Sequence, residues 1–336
     1  MTNRERVIAA INFQKPDFVP YHLRFTKPAH DKVVAYTGDP EYKFHINRHL
    51  KITSLHKPFI RIDETRIKDE FGAVRNNEGT ADDGGVGVLD GVILKEPEDL
   101  DTYEFPPIDE AWIRSRAEKL SKSDPDNFRV LAIEVILFER AWSLRGMENF
   151  LCDMILEPDF AHALLDKITD WILGVLDIAL EYEFDCVYFQ DDWGQQKGLI
   201  MGPELWRTYI KPRFAKIADK IHAAGKYVAH HSCGDLRDIM GELHETGIDI
   251  YQTFQPEIYG LEYAKVLRES HVAIWGGIST QRDLPFKTAE EMEAITRELL
   301  AAFPEGGLIA APTHDLYGDA RPENIVAMTN VLMNQK

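Results

Sequence analysis

The chain has 336 residues, 44% of them hydrophobic and 28% charged, with 17 Phe, 12 Tyr and 6 Trp, a composition that excludes a disordered, collagenous or coiled-coil protein. A net charge of −18 would repel a phosphate backbone and an anionic bilayer, so neither nucleic acid nor a membrane surface is an expected partner. Three cysteines, Cys152, Cys186 and Cys233, are too sparse for a disulfide framework. The opening MTNRERVIAA has no apolar signal core and no window approaches the roughly 20 apolar residues of a membrane span, so the expected location is the cytoplasm.

In chain order, Thr2 and Glu5 form a capping box ahead of Val7, Ile8, Ile11 and Phe13 at helical spacing, which predicts an N-terminal amphipathic helix. Apolar runs of strand length then recur at Phe18 to Leu23, Pro58 to Ile62, Arg129 to Val135, Cys186 to Gln190, Lys226 to His230, Ile248 to Gln252, Val272 to Trp275 and Gly307 to Ala310. They are continuous rather than alternating, as parallel strands buried on both faces require. Helical patterns lie between most of them, at Asp159 to Tyr182, Pro203 to Ala224, Leu236 to Thr246, Ala289 to Phe303 and Pro322 to Met333. Eight strands alternating with helices predict an α/β protein of the (β/α)8 TIM-barrel class, one domain over 1–336. The stretch from Asp69 to Lys95 reads as an inserted β-hairpin capping the barrel. No G-x-G-x-x-G follows a strand and no P-loop occurs; GGVGV at Gly84 to Val88 lies between two extended segments, which disfavours a doubly wound nucleotide-binding sheet.

In a barrel, chemistry is found where strands end. The expected strand ends carry His22 and Arg24, then Arg61 and Asp63, then Glu134, then Gln190, Asp191, Asp192 and Trp193. The later ones carry His230, His231, Ser232 and Cys233, then Gln252 and Gln255, then Trp275, and finally Thr313, His314 and Asp315. His231-Ser232-Cys233 places an imidazole and a thiol two residues apart, a pair suited to zinc, although taken alone such a pair is more often a packed Cys beside a hydrogen-bonded His; His314 is the leading third ligand, with Asp192 or Glu134 behind it. Of Asp191 and Asp192 only one can face the barrel mouth, and the other is free to cap a helix. His22 and Arg24 share a face where an Arg suits a carboxylate or a salt bridge. Trp142, in Glu139-Arg140-Ala141-Trp142, is a candidate substrate platform or a core aromatic. Cys152 and Cys186 read as inert small apolar residues.

The motifs RERVIAA, QKPDFVP, FQDDWGQQKGLIMGPELW, YVAHHSCGD, WGGISTQRDLP and PENIVAM span nearly the whole chain, and their combination resembles the uroporphyrinogen decarboxylase superfamily, within it the branch of cobalamin-linked methyltransferases. The resemblance implies a (β/α)8 barrel with a cleft at the strand carboxyl ends. True decarboxylases of the superfamily carry an early R-Q-A-G-R-Y segment whose arginines grip carboxylates; this chain has YHLRFTKPAH there, with Arg24 alone. In the methyltransferase branch zinc is held by an H-x-C pair and a Cys ahead of the final E-N-I helix. His231 and Cys233 match the first two, and His314 stands where the third is expected.

The resemblance therefore implies a zinc-dependent methyltransferase moving a methyl group between a small methoxy-aromatic or thiol substrate and a corrinoid. No D-x-H-x-x-G corrinoid-binding motif occurs, so the corrinoid is expected on a partner protein. In this reading His231, Cys233 and His314 hold the metal, Asp192 and Glu134 handle protons, and His22, Arg24, Arg140, Trp142, Asp191, Trp193, Gln252 and Trp275 contact the substrate. The alternative is a metal-independent decarboxylase acting on a carboxylated substrate, with Arg24 and Arg140 holding carboxylates. A non-enzymatic binding or assembly subunit is the third reading, against which the ring of polar strand ends speaks.

Overall fold

The computed structural model describes residues 1–46, 49–78 and 88–335. Helix α1 (Asn3–Ile11) opens the chain behind the expected capping box, with Thr2 accepting from Glu5 N. The strands β1 (Leu50–Ser54), β2 (Phe128–Glu134), β3 (Cys186–Gln190), β4 (Tyr227–His231), β5 (Ile250–Phe254), β6 (Ala273–Ile278) and β7 (Leu308–Pro312) form one parallel sheet in sequence order. The sheet curls into a half-barrel. Its concave face carries alternate residues, among them Phe128, Val130 and Ala132 of β2, Cys186 and Tyr188 of β3, and Ile309 and Ala311 of β7, with Val7 and Ile11 of α1 packed into the same cluster. The larger apolar cluster lies on the other face, between sheet and helices.

Two expected strands are corrected. The run Phe18 to Leu23 forms no full strand, although it lies parallel to β7, with His22 N donating to Ala310 O (3.0 Å) and Ala310 N to Pro20 O (2.8 Å). The rings of Phe18 and Tyr21 meet His49, just ahead of β1, at 6.0 and 4.7 Å. This segment runs beside β7 as an extended stretch joined to it by an isolated bridge at Tyr21 rather than by a full ladder. The run Pro58 to Ile62 contributes Ile60–Arg61 to a separate four-stranded antiparallel sheet with Arg66–Lys68, Val74–Asn76 and Val88–Leu89. The barrel position belongs to β1, LKITS, an edge strand in which only Leu50 and Thr53 are fully buried and which no continuous apolar run announces.

The expected hairpin from Asp69 to Lys95 is thus part of that four-stranded sheet; Gly84 to Gly87 of the GGVGV run fall outside the described residues. The insertion is fastened to helix α2 (Leu137–Arg145), since Ile93 N and Leu94 N both donate to Leu144 O and Asp69 pairs with Arg140. The pattern Pro203 to Ala224 is broken into a short helix, a π-turn at Trp206–Ile210 and the helix Lys211–Ala223; Pro212, which lacks an N–H, stands at the join. Leu236 to Thr246 folds as turns around a 3-10 segment at Met240–Glu242 rather than as a helix. No helix among the described residues is long and apolar enough to cross a membrane.

Candidate functional site

The inward alternation that builds the half-barrel decides which polar residues face its mouth. Glu134, Gln190, His231, Gln252 and Trp275 form one register row across five adjacent strands. His231 points inward with Ala229, and its neighbour His230 points outward. There the His230 ring stacks on Trp193 at 3.8 Å and is edge-on to Phe214, fully buried, and burial holds its pKa well below the usual value.

His231 Nδ1 bonds the side-chain oxygen of Gln252, which also accepts from the Tyr188 hydroxyl (2.8 Å). An amide oxygen only accepts, so Nδ1 carries the hydrogen and Nε2 presents its lone pair. That nitrogen lies 3.4 Å from Cys233 Sγ and 3.5 Å from Asp192 Oδ1. His314 arrives from the loop after β7, its ring 5.8 Å from that of His231 and its Nδ1 within 2.9 Å of both the Tyr317 hydroxyl and Asp315 N. One ligand atom from each of His231, Cys233 and His314 lies within 4.8 Å of the others, close enough to share a metal ion.

The loop bearing Cys233 is held by a backbone-to-backbone contact. Gly234 has φ +84°, and a Cβ on it would lie 2.4 Å from Gly194 C; one on Gly194 would lie 2.6 Å from Cys233 O. Only glycine fits at this crossing. Asp192 Oδ1 accepts from Cys233 N (2.8 Å), and Ser232 Oγ accepts from Trp193 N (2.9 Å). Burial, followed by the carboxylates of Asp192 and Glu139, pushes the Cys233 thiol well above its ordinary range; burial and then His231 hold His314 down in its neutral form. A neutral imidazole is ligand-ready, whereas a thiolate among carboxylates calls for a cation. The donor set therefore fits zinc.

Around this cluster lies a cleft of about 500 Å3 walled by His22, Arg24, Tyr188, Trp275 and Asp315. Burial, with help from the Arg24 and His49 charges, holds His22 down to about 3. Arg24 pairs with Asp315 at 2.9 Å. A second cleft of about 750 Å3 borders Cys233 and His314 and is lined by Thr253, Thr280, Thr313 and Tyr317.

Residues 94–334 match the uroporphyrinogen decarboxylase (URO-D) family. The chain belongs to that family. Over 163 residues it is 22% identical to a methylated-thiol–coenzyme M methyltransferase of Methanosarcina mazei, covering 48% of this chain and 42% of that one. Over 131 residues it is 23% identical to a uroporphyrinogen decarboxylase of Mycolicibacterium paratuberculosis, covering 39% and 34%. The matches thus span less than half the length of either relative. A methyltransferase from Methanosarcina mazei superposes with a TM-score of 0.71 at 17% identity over 99% of this chain and 98% of its own, which shows a shared fold.

Within this URO-D chain, several residues expected at the substrate lie elsewhere. Asp191 is fully buried and accepts from Phe138 N (3.1 Å), Glu139 N (2.7 Å) and Trp193 Nε1 (2.7 Å), so it caps α2 from outside the helix. Trp193 is buried among His230, Trp206 and Phe214 and offers no surface. Trp142 lies under the Arg75 guanidinium at 5.6 Å. Arg140 is buried in an ion pair with Asp69 (2.5 Å) and lines a separate cavity. Gln252 orients His231. Cys152 is exposed on its helix, whereas Cys186 is buried with its thiol pushed up. Glu139 had no expected role: burial, then Asp192 and Asp191, raise its carboxyl well above the ordinary range. The signal was an acid in the first turn of a helix that starts directly after a barrel strand.

Proposed function

We propose that this chain is a zinc-dependent methyltransferase that moves a methyl group between a small substrate, thiol or methoxy-aromatic, and a corrinoid carried by a partner protein. The observation that carries the reading is the convergence of His231, Cys233 and His314 at a cleft. These three would hold a zinc ion with a coordination position left for substrate, supplying a Lewis acid that lowers the pKa of a thiol or polarises an ether oxygen. The name of the Methanosarcina relative favours the thiol form.

The remaining roles belong to side chains. Asp192 Oδ1, beside both His231 Nε2 and Cys233 N, is placed to accept a proton or hydrogen bond from a substrate heteroatom. Burial, then Asp192 and Asp191, raise the Glu139 carboxyl well above its ordinary range, which disfavours a second negative charge beside Asp192. Trp275 and Tyr188, 5.1 Å apart, give the cleft an apolar wall, with neutral His22 against Trp275 at 5.6 Å. Glu134, at the end of the same register row, faces the neighbouring opening with Arg24.

The decarboxylase reading needs free arginines, and both candidates are already paired, Arg24 with Asp315 and Arg140 with Asp69. The test is the metal content of protein purified without a polyhistidine tag. About one zinc per chain is expected, lost in Cys233→Ser and in His314→Ala. A wild type without zinc after growth in zinc-supplemented medium would overturn the proposal.

A further inference from the structure

The larger of the two clefts at the metal cluster has a wall of uneven charge. This cavity of about 750 Å3 opens at the carboxyl ends of β5, β6 and β7, between Thr253 and Gln255, the loop bearing Thr280 and Gln281, and the loop that runs from Thr313 to Asp319. Cys233 and His314 form part of its wall, so the tail of a molecule bound at the cluster can extend into it.

Most polar groups of this wall are already engaged. Thr280 N donates to Thr313 Oγ1 (3.2 Å), and the two threonine hydroxyls lie 3.1 Å apart. Gln255 Oε1 accepts from Gly234 N (2.8 Å), and the Tyr317 hydroxyl lies 2.9 Å from His314 Nδ1. Burial first, and neighbouring charges after it, push Tyr317 up to about 12, so this hydroxyl is uncharged at neutral pH. Asp319 differs from all of these. It is exposed and makes no ion pair or hydrogen bond among the described residues, and no lysine or arginine among them lines the cleft.

The surroundings offer an anion no compensation. Asp192 Oδ1 stands 3.5 Å from His231 Nε2, and Arg24, the cation of the adjoining cleft, is matched by Asp315 at 2.9 Å. A sulfonate or carboxylate tail would meet the Asp319 charge with no free cation to offset it, whereas an ammonium tail gains a partner. Resting on the methyltransferase reading above, we infer that the substrate is a cationic thiol, with its sulfur at the His231, Cys233 and His314 cluster and its ammonium group in the threonine-walled cleft toward Asp319, the residue that sets the charge preference.

The probes are three thiols with the same two-carbon spacing: thiocholine, a permanent cation whose nitrogen cannot chelate, neutral 2-mercaptoethanol and anionic 2-mercaptoethanesulfonate. Calorimetric titration of the whole zinc-loaded protein at low salt is expected to rank them in that order, thiocholine ahead of the sulfonate by about tenfold or more, and the gap should narrow in high salt. The thiols differ in acidity, so the decisive quantity is the ratio of thiocholine to sulfonate affinity, compared between variants. It should fall about fivefold in Asp319→Asn and roughly tenfold or more in Asp319→Lys, and stay unchanged in Glu298→Lys, on the outer helix Ala289–Ala301. A wild-type ratio in Asp319→Lys, or sulfonate binding as tight as that of thiocholine in the wild type, overturns the inference and leaves the zinc reading intact. A wild type that takes up no zinc overturns that reading, and the inference with it.

Discussion

The ring of His231 is aimed by Gln252, its neighbour across β4 and β5, whose side-chain oxygen takes the Nδ1 hydrogen and leaves Nε2 facing Cys233 Sγ at 3.4 Å. Such outer partners fix both tautomer and orientation of a ligating imidazole. Gln252→Leu should therefore weaken zinc affinity by roughly 10- to 100-fold, measured by competition with a chromogenic chelator. Affinity equal to that of the wild type would show that packing alone holds the ring.

Asp191 makes the opposite kind of contribution. It satisfies two backbone N–H groups at the start of α2 and the Trp193 indole, all in a buried setting. Asp191→Ala leaves these donors unpaired and should lower unfolding free energy by on the order of 3 kcal/mol in urea titrations. Zinc content per folded chain should stay as in the wild type, which separates Asp191 from Asp192.

Gly234 meets Gly194 backbone to backbone, at a φ of +84°. Neither side of the contact is a flexible side chain that can move away. Gly234→Ala should cost on the order of 3 kcal/mol and shift the Cys233 loop, lowering both melting temperature and zinc affinity. Gly38→Ala is the control: φ is +73° and nothing lies within 4 Å of its Cβ, so only backbone strain of about 1 kcal/mol is expected there.

Acid should weaken the fold through His49, which is 4% exposed and packed against Phe18 and Tyr21. Burial, then the Arg6 charge, lower its pKa from 6.5 to about 4. The unfolded chain takes up this proton first, so the contribution is complete above pH 6.5 and is lost as pH falls toward about 4. The full loss is about 3 kcal/mol. His49→Phe should flatten that part of the profile, read as urea midpoints between neutral and mildly acidic pH; an unchanged slope would assign the acid sensitivity to other groups.

The central strands were legible because β2 to β7 are buried on both faces, which forces continuous apolar runs. At the sheet's margin that signal fails: LKITS of β1 is only half-buried, and the segment through Tyr21 and His22 meets β7 through an isolated bridge instead of a full strand. The mouth residues follow the same division. His231 and Cys233 are neighbours in any fold because they stand two positions apart in the chain, and alternation required that only one of Asp191 and Asp192 face inward.

Which of the two did so depended on register, and register depends on how the whole sheet packs. Arg140, Trp142 and Trp193 have the chemistry of substrate contacts, yet their partners Asp69, Arg75 and His230 come from distant segments that no local pattern identifies. His314 reaches the cluster only because β7 runs parallel to the earlier strands and ends at the same rim. Local sequence determined the donors and the period of the strands; the side chains that share a cavity were decided by packing, which acts between residues far apart in the chain.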